Sequence, residues 1–425
     1  MTGPERNWAG NVTFTPQTVV TPTTVDQLRH DVATAAAAGR RVRAAGARHS
    51  FSPIGATEGT LVVMDELSAI VGIDREAGTV LVEAGVRYAD LAPALHDEGL
   101  ALHNLASLPH LSVGGAVATS THGSGVGNQS LAGAVMAIDV VTSSGDIERI
   151  ERGTDLGAAA IVGLGAFGVV ARVTLRVEPT FDVAQDVFVD LPFGAGVEHL
   201  DEIMGSAYSV SLFTSWRSDV FDQVWQKRRH VDLAGGTNTD IRRFGAVAAL
   251  VPLHPVVGMA AAACTEQSGR PGPWHRRLPH FRPDAVPSVG AELQTEYFVA
   301  RSDGRDALRA VHGLRRLLVD IVLVTEIRSV AADDFWLSPA HGRDSTAIHF
   351  TWRPDEARVR EALPVLEAAL APFDPRPHWA KVTTMSNDDV RRRFPRFADA
   401  ARLREERDPD GLFLNDHLAR LFVGE

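Results

Sequence analysis

Two glycine-containing segments near the N-terminus constrain the fold most strongly. The first, Gly46-Ala47-Arg48-His49-Ser50, follows a predicted strand, and the second runs from Ser107 to Gly125. Segments of this kind let backbone N–H groups and hydroxyls approach a phosphate without an intervening side chain. Either segment alone is explained equally well as a turn. Only their combination distinguishes a binding site from a pair of turns.

A third glycine motif, Gly163-Leu164-Gly165-Ala166-Phe167-Gly168, matches the pattern G-x-G-x-x-G. The dinucleotide fingerprint with this pattern needs a helix directly after it, so that a pyrophosphate meets the helix N-terminus. Here β-branched residues follow and predict a strand from Val169 to Val177. We therefore interpret the motif as a tight turn with close backbone approach.

The first part of the chain is predicted to alternate between helices and strands. Apolar spacing and turn residues predict helices at Val25–Ala38 and Tyr88–Gly99, and strands at Val42–Ala45, Leu61–Asp65, Ile70–Ile73, Thr79–Gly85, Ile138–Thr142, Ile147–Ile150 and Val169–Val177. The last strand ends at Pro179, so we place a domain boundary near residue 180.

Longer strands are predicted beyond this boundary, at Leu293–Val299, Ile321–Val330 and Ala347–Trp352. The stretch Gly269–Pro287 is rich in Pro, Arg and His and is predicted to be a long ordered loop. A helix is predicted at Asp355–Leu370, although Pro364 should kink it or divide it in two.

Charge and composition exclude several classes of protein. The formal net charge is −11 at pH 7, which argues against a binder of nucleic acid or of an anionic membrane. A single cysteine, Cys264, allows neither an internal disulfide nor a cysteine metal cluster, and we expect it in the core. The sequence shows neither a signal peptide nor a membrane-spanning run, so a cytoplasmic location is expected.

Lysine is almost absent from the chain. Of 42 basic residues only Lys227 and Lys381 are lysines, so a retained lysine points weakly to chemistry that arginine cannot perform. Lys227 lies in the basic run Trp225-Gln226-Lys227-Arg228-Arg229-His230, and we interpret it as part of a solvated basic face.

Two predicted strands carry pairs of polar residues two positions apart. Glu326 and Arg328 point to one face of the first strand, and His349 and Thr351 to one face of the second. If the strands are neighbours, all four side chains line one cavity. Taken alone, the first pair is more often a simple ion pair and the second an ordinary polar face.

The glycine segments together resemble the vanillyl-alcohol-oxidase type of FAD-binding domain, which carries Gly-x-x-His-Ser and Gly-Gly-Ala-Val-Ala-Thr-x-x-His-Gly. The resemblance implies that both segments hold the FAD pyrophosphate and that His49 bonds covalently to the 8α-methyl of the flavin. It assigns cofactor binding to Ala45, Gly46, Ala47, Arg48, His49, Ser50, Ser107, Ser112, Gly115, Ala116, Val117, Ala118, Thr119, Val169 and His378. The 104–125 segment contains no cysteine, so no second, cysteinyl bond is available.

The second half resembles the substrate domain of the alditol oxidases and their relatives, the aldonolactone oxidases. The likeness rests on Thr325-Glu326-Ile327-Arg328, His349-Phe350-Thr351-Trp352 and Arg376-Pro377-His378-Trp379-Ala380-Lys381. It implies an α+β fold with an FAD-binding domain at 1–180 and a substrate domain at 181–425. The substrate domain is expected to contain a large mixed or antiparallel sheet flanked by helices, and 376–425 to return to the flavin.

The resemblance also implies roles for the polar residues in oxidising a terminal CH2OH group of a polyol to an aldehyde, with O2 reduced to H2O2. Arg328 and Lys381 would bind the reacting oxygen and ease its deprotonation, since burial beside Arg328 lowers a lysine pKa. Glu326 would accept a hydrogen bond from the second hydroxyl. Ser107, His349 and Thr351 would bind the hydroxyls beyond it.

The expected partners are therefore a polyol such as xylitol or sorbitol and O2, with no metal and no obligatory protein partner. An aldonolactone oxidase or dehydrogenase would share the same polar residues and stays open as an alternative. A flavin-binding or sugar-binding protein without turnover is the second alternative. Ala106, expected beside the flavin, occurs in both oxidases and dehydrogenases and does not decide the electron acceptor.

Overall fold

The computed structural model describes residues 6–229, 239–285 and 292–424. The first part forms two small sheets. Strands β1 (Thr18–Val20), β2 (Val42–Ala45) and β3 (Thr60–Val63) make a parallel sheet in the order β1-β3-β2. Helix α1 (Val25–Ala37) joins β1 to β2, and the hydroxyl of Thr24 caps it by accepting from the backbone N–H of Gln27 at 3.1 Å.

A five-stranded antiparallel sheet packs beside the first. It consists of β4 (Ile70–Asp74), β5 (Thr79–Glu83), β7 (Val135–Val141), β8 (Ile147–Glu151) and β9 (Val169–Arg176), in the order β4-β5-β9-β7-β8. Side chains of β9 alternate between buried and more exposed positions, and the strand itself was predicted from its sequence. The remaining elements of this part are α2 (Tyr88–Asp97), α3 (Val113–Ala118), α4 (Asp155–Ala160), and the two-residue strands β6 (Leu100–Ala101) and β10 (Glu178–Pro179), which pair with each other.

The G-x-G-x-x-G motif forms a turn that leads directly into β9. Leu164, Gly165 and Gly168 all have positive φ angles of 58°, 68° and 134°. No helix follows, so the prediction of a tight turn is confirmed. By contrast, the segment from Ser107 to Gly125, predicted as a loop, contains the short helix α3, which begins after Ser112.

A large antiparallel sheet dominates the second part, and among the described residues it has nine strands. They are β11 (Asp182–Pro192), β12 (Ser209–Thr214), β13 (Val220–Arg229), β14 (Val247–Ala248), β15 (Gly272–Pro273), β16 (Leu293–Ala300), β17 (Val322–Val330), β18 (Ser345–Trp352) and β19 (Arg376–Pro377). The order is β14-β11-β13-β12-β17-β18-β16-β19, with β15 paired to β11. All of these pairings are antiparallel.

Helices cover one face of this sheet. They are α5 (Phe193–Glu198), α6 (Leu200–Met204), α7 (Gly304–Gly313), α8 (Arg315–Leu318) and α9 (Glu356–Leu370). Ile348 and Phe350 of β18 join the apolar core under them, together with Leu308 and Leu366 from the helices. His349, between Ile348 and Phe350, therefore points to the opposite face, which the helices leave free.

Helix α9 confirms the helix predicted in this segment. It runs from Glu356 to Leu370 with Pro364 inside it, so of the two effects predicted for the proline, a kink or a division into two helices, the division does not occur. Val359, Leu363, Leu366 and Leu370 are buried on one side of the helix, and this packing outweighs the hydrogen bond that a proline cannot donate.

The C-terminal segment packs against the first part of the chain. Its helices are α10 (Asn387–Arg393), α11 (Phe397–Arg407) and α12 (Asp416–Phe422). The backbone N–H of Phe51 donates to the carbonyl of Ala380 at 2.7 Å, and the Asn415 amide donates to the carbonyl of Pro53 at 2.8 Å. The segment after β19 is thereby fixed next to the loop that follows β2.

Most of the predicted loop at 269–287 lies within the described residues, which end at 285 before the gap. It contains β15 and a single 3-10 turn at Trp274–Arg276, with Trp274 fully buried. Cys264 is buried, as predicted. Within the described ranges, none of the helices combines the length and apolar character needed to cross a bilayer.

Candidate active site

A cavity of about 310 Å³ lies between the first part of the chain and the helix-free face of the large sheet. The loop after β2, the segment from Ala106 to His122 and the turn before β9 form one side of it, and strands β16, β17 and β18 form the other. All predicted site residues line this cavity except Val117. The predicted residues that do line the cavity are Ala45, Gly46, Ala47, Arg48, His49, Ser50, Ser107, Ser112, Gly115, Ala116, Ala118, Thr119, Val169, Glu326, Arg328, His349, Thr351, His378 and Lys381.

Val117 is the predicted cofactor residue that does not line the cavity. Its side chain is 2% exposed and packs in the apolar core rather than at the cavity. Successive side chains on a helix point in different directions, so α3 presents Ala116 and Ala118 to the cavity and directs Val117 inward.

The two glycine segments contact each other at the cavity wall. A Cβ placed on Gly46 would lie 2.0 Å from the Ser112 Oγ, so only glycine allows this approach. The Ala47 backbone N–H donates to the same hydroxyl at 3.4 Å. Arg48 adopts a left-handed φ of 58°, and its guanidinium pairs with Asp65 at 3.1 Å. These contacts fix the backbone that precedes His49.

His49 is half-buried and borders the cavity. Its ring stacks on Trp8 with the ring centres 4.5 Å apart. Burial, followed by the nearby charge of Lys381, lowers the pKa of His49 to about 3. The imidazole is therefore neutral at physiological pH and keeps a nitrogen lone pair.

The opposite wall carries a row of polar residues on three adjacent strands. Glu296 on β16 and Glu326 on β17 each lie directly opposite His349 on β18 in the strand register. Arg328 Nη2 donates to Glu296 Oε1 at 2.6 Å, and its Nε lies 3.7 Å from Glu326 Oε1. The strands that carry Glu326 and His349 are therefore neighbours, which is the condition under which their polar side chains were expected to share a cavity, and Glu296 lies beside them on the third strand.

Glu296 is the centre of this row. Besides Arg328, its carboxylate lies 3.1 Å from His122 Nε2 and 3.4 Å from His349 Nδ1. Burial alone would raise the pKa of Glu296, but Arg328, His122 and His349 hold it well below its ordinary value. The same balance between burial and Arg328 lowers the pKa of Glu326. Both carboxylates are therefore ionised.

Arg328 lies between these two carboxylates and is buried. Burial disfavours its charge, but Glu326 and Glu296 outweigh that effect and raise the pKa of the guanidinium. Thr351 Oγ1 lies 3.4 Å from His349 Nε2, and burial lowers the pKa of His349. The row thus presents a fixed cation, two carboxylates, a neutral imidazole and a hydroxyl.

Lys381 reaches the cavity from the C-terminal segment. Its ammonium donates to the side-chain carbonyl of Gln294 and lies 5.0 Å from the centre of the Phe51 ring. Burial lowers the pKa of Lys381 to about 8, with the positive charge of Arg328 acting in the same direction. Lys381 is therefore close enough to neutrality to exchange a proton near neutral pH.

His122, Glu296 and His378 each place a potential metal-ligand atom within 4.8 Å of the others. The guanidinium of Arg328 already occupies Glu296 Oε1 at 2.6 Å, so a metal cation there would meet a fixed positive charge. The arrangement matches a buried ion pair of Glu296 with Arg328 better than a metal centre.

Lys227 corrects the prediction of a solvated basic face. It is 1% exposed, and burial lowers its pKa to about 7. Its ammonium contacts Nδ1 of His280 at 2.9 Å, and His280 Nε2 lies 2.8 Å from Glu326 Oε1. The basic run around Lys227 suggested solvent exposure, but both faces of β13 are covered from Gln223 to Lys227, so Lys227 is buried on the face that it shares with Trp225.

The residues that line the cavity without having been predicted include Glu296, Gln294, His122 and His280. The first two were detectable, because Gln294 and Glu296 are two apart in the predicted strand Leu293–Val299 and share a face. His122 belongs to the second glycine segment but carried no assigned role. His280 gave no signal, because it lies in an irregular loop that meets Glu326 only through the tertiary fold.

The residues around the first half of the cavity fit an FAD molecule. Gly46, Gly115, Ala116 and Ala118 leave backbone along the wall uncovered, and a Cβ on Gly46 would fill the contact with Ser112. Such backbone, next to hydroxyls such as that of Thr119, suits the phosphates of a dinucleotide.

Two family profiles match the chain. That of the FAD binding domain matches residues 16–151, and that of D-arabinono-1,4-lactone oxidase matches residues 291–421. The two profiles together include most of the residues that line the cavity, whereas the turn before β9 lies outside both. Binding of FAD by the first part of the chain agrees with the prediction from the glycine segments.

Curated relatives span almost the whole chain. An alditol oxidase from Streptomyces sp. (strain IKD472 / FERM P-14339) is 47% identical over 421 residues, which cover 98% of this chain and 99% of that protein. The L-gulono-1,4-lactone dehydrogenase of Mycobacterium tuberculosis (strain ATCC 25618 / H37Rv) is 31% identical over 441 residues, 98% of each chain. L-gulonolactone oxidase of Mus musculus is 26% identical over 439 residues, again 98% of each.

A solved structure shares the fold. Glucooligosaccharide oxidase from Acremonium strictum, described with a 6-S-cysteinyl, 8α-N1-histidyl FAD, matches with a TM-score of 0.72 at 14% identity. The match covers 97% of this chain and 93% of that one. The predicted α+β fold, with its large antiparallel sheet, is confirmed.

Proposed function

The chain belongs to the family of FAD-dependent oxidoreductases that contains alditol oxidase and the aldonolactone oxidases, and from this premise we propose its reaction. It is an alditol oxidase, in which the terminal CH2OH of a polyol such as xylitol or sorbitol becomes an aldehyde while O2 becomes H2O2. The observation that carries the proposal is the row of Glu326, Arg328, His349 and Thr351 facing the FAD-binding segments across one cavity.

When bound, FAD would supply the acceptor for a hydride from carbon 1 of the polyol and the means of reducing O2. We propose that His49 holds the flavin covalently. Its ring borders the cavity, and its lowered pKa keeps a lone pair available for the bond. Stacking on Trp8 and the fixed backbone at Arg48 would hold the imidazole in one orientation. His378, buried at the same cavity, would contact the flavin.

Lys381 and Arg328 would act on the reacting hydroxyl. Lys381, with a pKa of about 8, can take up the hydroxyl proton when it is neutral, whereas Arg328 stays charged. The guanidinium would stabilise the negative charge that develops on the oxygen. Because Glu296 and Glu326 fix the guanidinium, it needs no reorientation during the reaction.

The remaining polar residues would recognise the carbon chain. Glu326, which is ionised, would accept a hydrogen bond from the hydroxyl on carbon 2, and Ser107, His349 and Thr351 would bind those beyond it. A substrate without these hydroxyls would leave buried polar groups unpaired, which costs affinity. A linear polyol therefore suits the cavity.

An aldonolactone oxidase or dehydrogenase is the second candidate, favoured by the lactone oxidase profile over residues 291–421. We further propose an FAD-binding domain at 1–180 and a substrate domain at 181–425. Ala106 lines the cavity and leaves room for O2, but it does not select the acceptor. The cytoplasmic location stays a prediction.

Anaerobic mixing of the purified protein with xylitol tests the proposal. Bleaching of the flavin absorbance, followed by recovery with release of H2O2 on admitting air, is the expected result. Bleaching without recovery in air would indicate a dehydrogenase, and faster bleaching by a gulono- or galactono-lactone would favour the second candidate. Lys381→Ala is the control, because it should remain yellow yet bleach far more slowly.

A further inference from the structure

The amino group of Lys227 is buried and contacts three acceptors, all of them in one loop. Its ammonium contacts the carbonyl oxygen of Leu278, that of Pro279 at 3.3 Å and Nδ1 of His280 at 2.9 Å. An ammonium group has three donors, and these are three acceptors. The lysine therefore holds three consecutive residues of one loop, here called the 278–281 loop (Leu278, Pro279, His280 and Phe281).

The same loop contacts two residues proposed to bind the substrate. His280 Nε2 lies 2.8 Å from Glu326 Oε1. The backbone N–H groups of His280 and Phe281 both donate to the carbonyl of Ser107, at 3.1 Å and 3.2 Å. Through the loop, Lys227 is thus connected to Glu326 on β17 and to Ser107 in the second glycine segment.

The hydrogen bonds also fix the protonation of the His280 ring. The Glu326 carboxylate only accepts, so His280 Nε2 must carry a hydrogen and donate it. A neutral ring then has a bare Nδ1, which must accept from Lys227. Burial lowers the pKa of His280 to about 4, in agreement with a neutral ring. Lys227 therefore donates a hydrogen bond to His280, and His280 donates one to Glu326.

We propose that Lys227 is a positioning residue for substrate recognition, which through His280 and the 278–281 loop orients Glu326 and Ser107 toward the hydroxyls of the polyol. The inference rests on the proposed function and deepens it. Without Lys227, Nδ1 of His280 has no donor, the ring can change tautomer, and Glu326 loses a fixed hydrogen bond. Its carboxylate is then free to turn toward Arg328.

The consequence is a specific loss of recognition at carbon 2. The variant Lys227→Met keeps an unbranched side chain that is one heavy atom shorter, and it donates no hydrogen bond. We expect it to weaken binding of 1,2-hexanediol about tenfold, the usual effect of losing a hydrogen bond to a charged group. Binding of 1-hexanol, which has no second hydroxyl, should stay within about twofold, and so should the limiting rate of flavin bleaching by xylitol.

Two further variants separate orientation from folding. Gln carries an N–H close to the position of the histidine Nε2, so His280→Gln should retain most of the wild-type affinity for 1,2-hexanediol. His280→Leu has no such donor and should lose affinity as Lys227→Met does. Gln226→Met is the matched control. Gln226 is buried on the other face of the same strand, where it donates to Ser206 away from the cavity. It should leave the ratio of the two affinities unchanged.

Anaerobic bleaching titrations of each holoenzyme with both alcohols measure these affinities, and nitrogen NMR of labelled histidines reports the tautomer of His280. The inference would be overturned if Lys227→Met left the ratio of the affinities for 1,2-hexanediol and 1-hexanol unchanged, whether both affinities fell equally or neither fell. It would also be overturned if Nδ1 of His280 carried the proton in the wild type. If Lys227→Met does not fold, the two His280 variants decide it in the same way. Wild-type protein that bleaches only with a lactone contradicts the proposed function itself, and the inference with it.

Discussion

Arg328 and Glu296 form a buried ion pair, with Nη2 donating to Oε1 at 2.6 Å. The pair joins two strands that are not adjacent, because β18 lies between β17 and β16. Glu296 thereby controls the orientation of a guanidinium proposed to meet the reacting oxygen. Glu326, on the same strand as Arg328, is farther from it, with 3.7 Å between Oε1 and Nε.

Glu296→Gln should therefore lower both the stability of the folded protein and the rate at which xylitol reduces the flavin. Removing one partner of a buried ion pair leaves the other charge uncompensated and costs about 3–5 kcal/mol. We expect a clear fall in the midpoint of thermal unfolding and a slower bleaching of the flavin by xylitol. Glu202→Gln is the control, because the exposed pair of Glu202 with Arg243 should contribute no more than about 1 kcal/mol. Similar effects of both variants would contradict the assigned role of Glu296.

His49→Ala should convert a covalent flavin into one that acid releases. The rest of the cavity wall is unchanged, so part of the protein should still bind FAD. After acid precipitation, flavin fluorescence is expected in the pellet for the wild type and in the supernatant for the variant. His199→Ala, a histidine that stacks on Phe244 away from the cavity, should behave like the wild type. Wild-type flavin that is wholly extractable would refute the covalent bond.

Gly46→Ala should reduce the FAD content of the purified protein. The new Cβ would lie 2.0 Å from the Ser112 Oγ and 2.9 Å from its Cβ, so the two glycine segments must separate. Adding Ser112→Gly removes both clashing atoms and should restore much of the bound flavin. Gly127→Ala is the matched control, since no atom lies within 4 Å of its added Cβ. The ratio of flavin to protein absorbance measures the outcome, and full FAD content in Gly46→Ala alone would disprove the contact.

Much of the polar row was predictable because strand geometry is local. The two-residue spacing of Glu326 with Arg328 and of His349 with Thr351 assigns each pair to one face. The structure pairs Glu326 directly with His349, so the cavity-facing row follows from the sequence pattern. Which strand lies on the other side of β18 is decided by tertiary pairing. The spacing of Gln294 and Glu296 places both on one face of the predicted strand, but it does not show that this strand pairs with β18.

Lys227 and His280 show a second reason why part of the site could not be predicted from the sequence. A run of basic residues on a strand is usually solvated, and nothing local indicates that Lys227 is to be buried against a distant loop. Its acceptors, two backbone carbonyls and an imidazole, are about 50 residues further along the chain. The scarcity of lysine was the single signal available, and it applied to Lys227 as well as to Lys381.

Pro364→Ala should stabilise the protein without changing its activity. Pro364 is exposed within helix α9, so its ring contributes little to the core while it withholds a backbone hydrogen bond. Alanine restores the donor, and we expect a gain of about 1–3 kcal/mol in the free energy of unfolding. Chemical denaturation measures the gain, with the rate of xylitol oxidation as the control. A loss of stability would mean that the helix is already distorted to suit the proline.

Lys381 predicts the pH dependence of flavin reduction. The pKa of its ammonium is lowered to about 8, and as a proton acceptor it must be neutral. The neutral fraction rises with pH, so the rate of bleaching at low xylitol concentration should increase through pH 8 and level off above it. Lys381→Arg keeps the positive charge but cannot lose its proton, so its rate should be low and should not show this rise. Anaerobic stopped-flow measurements from pH 6 to pH 10 test the prediction, and an identical rise in both proteins would assign the titration to another group.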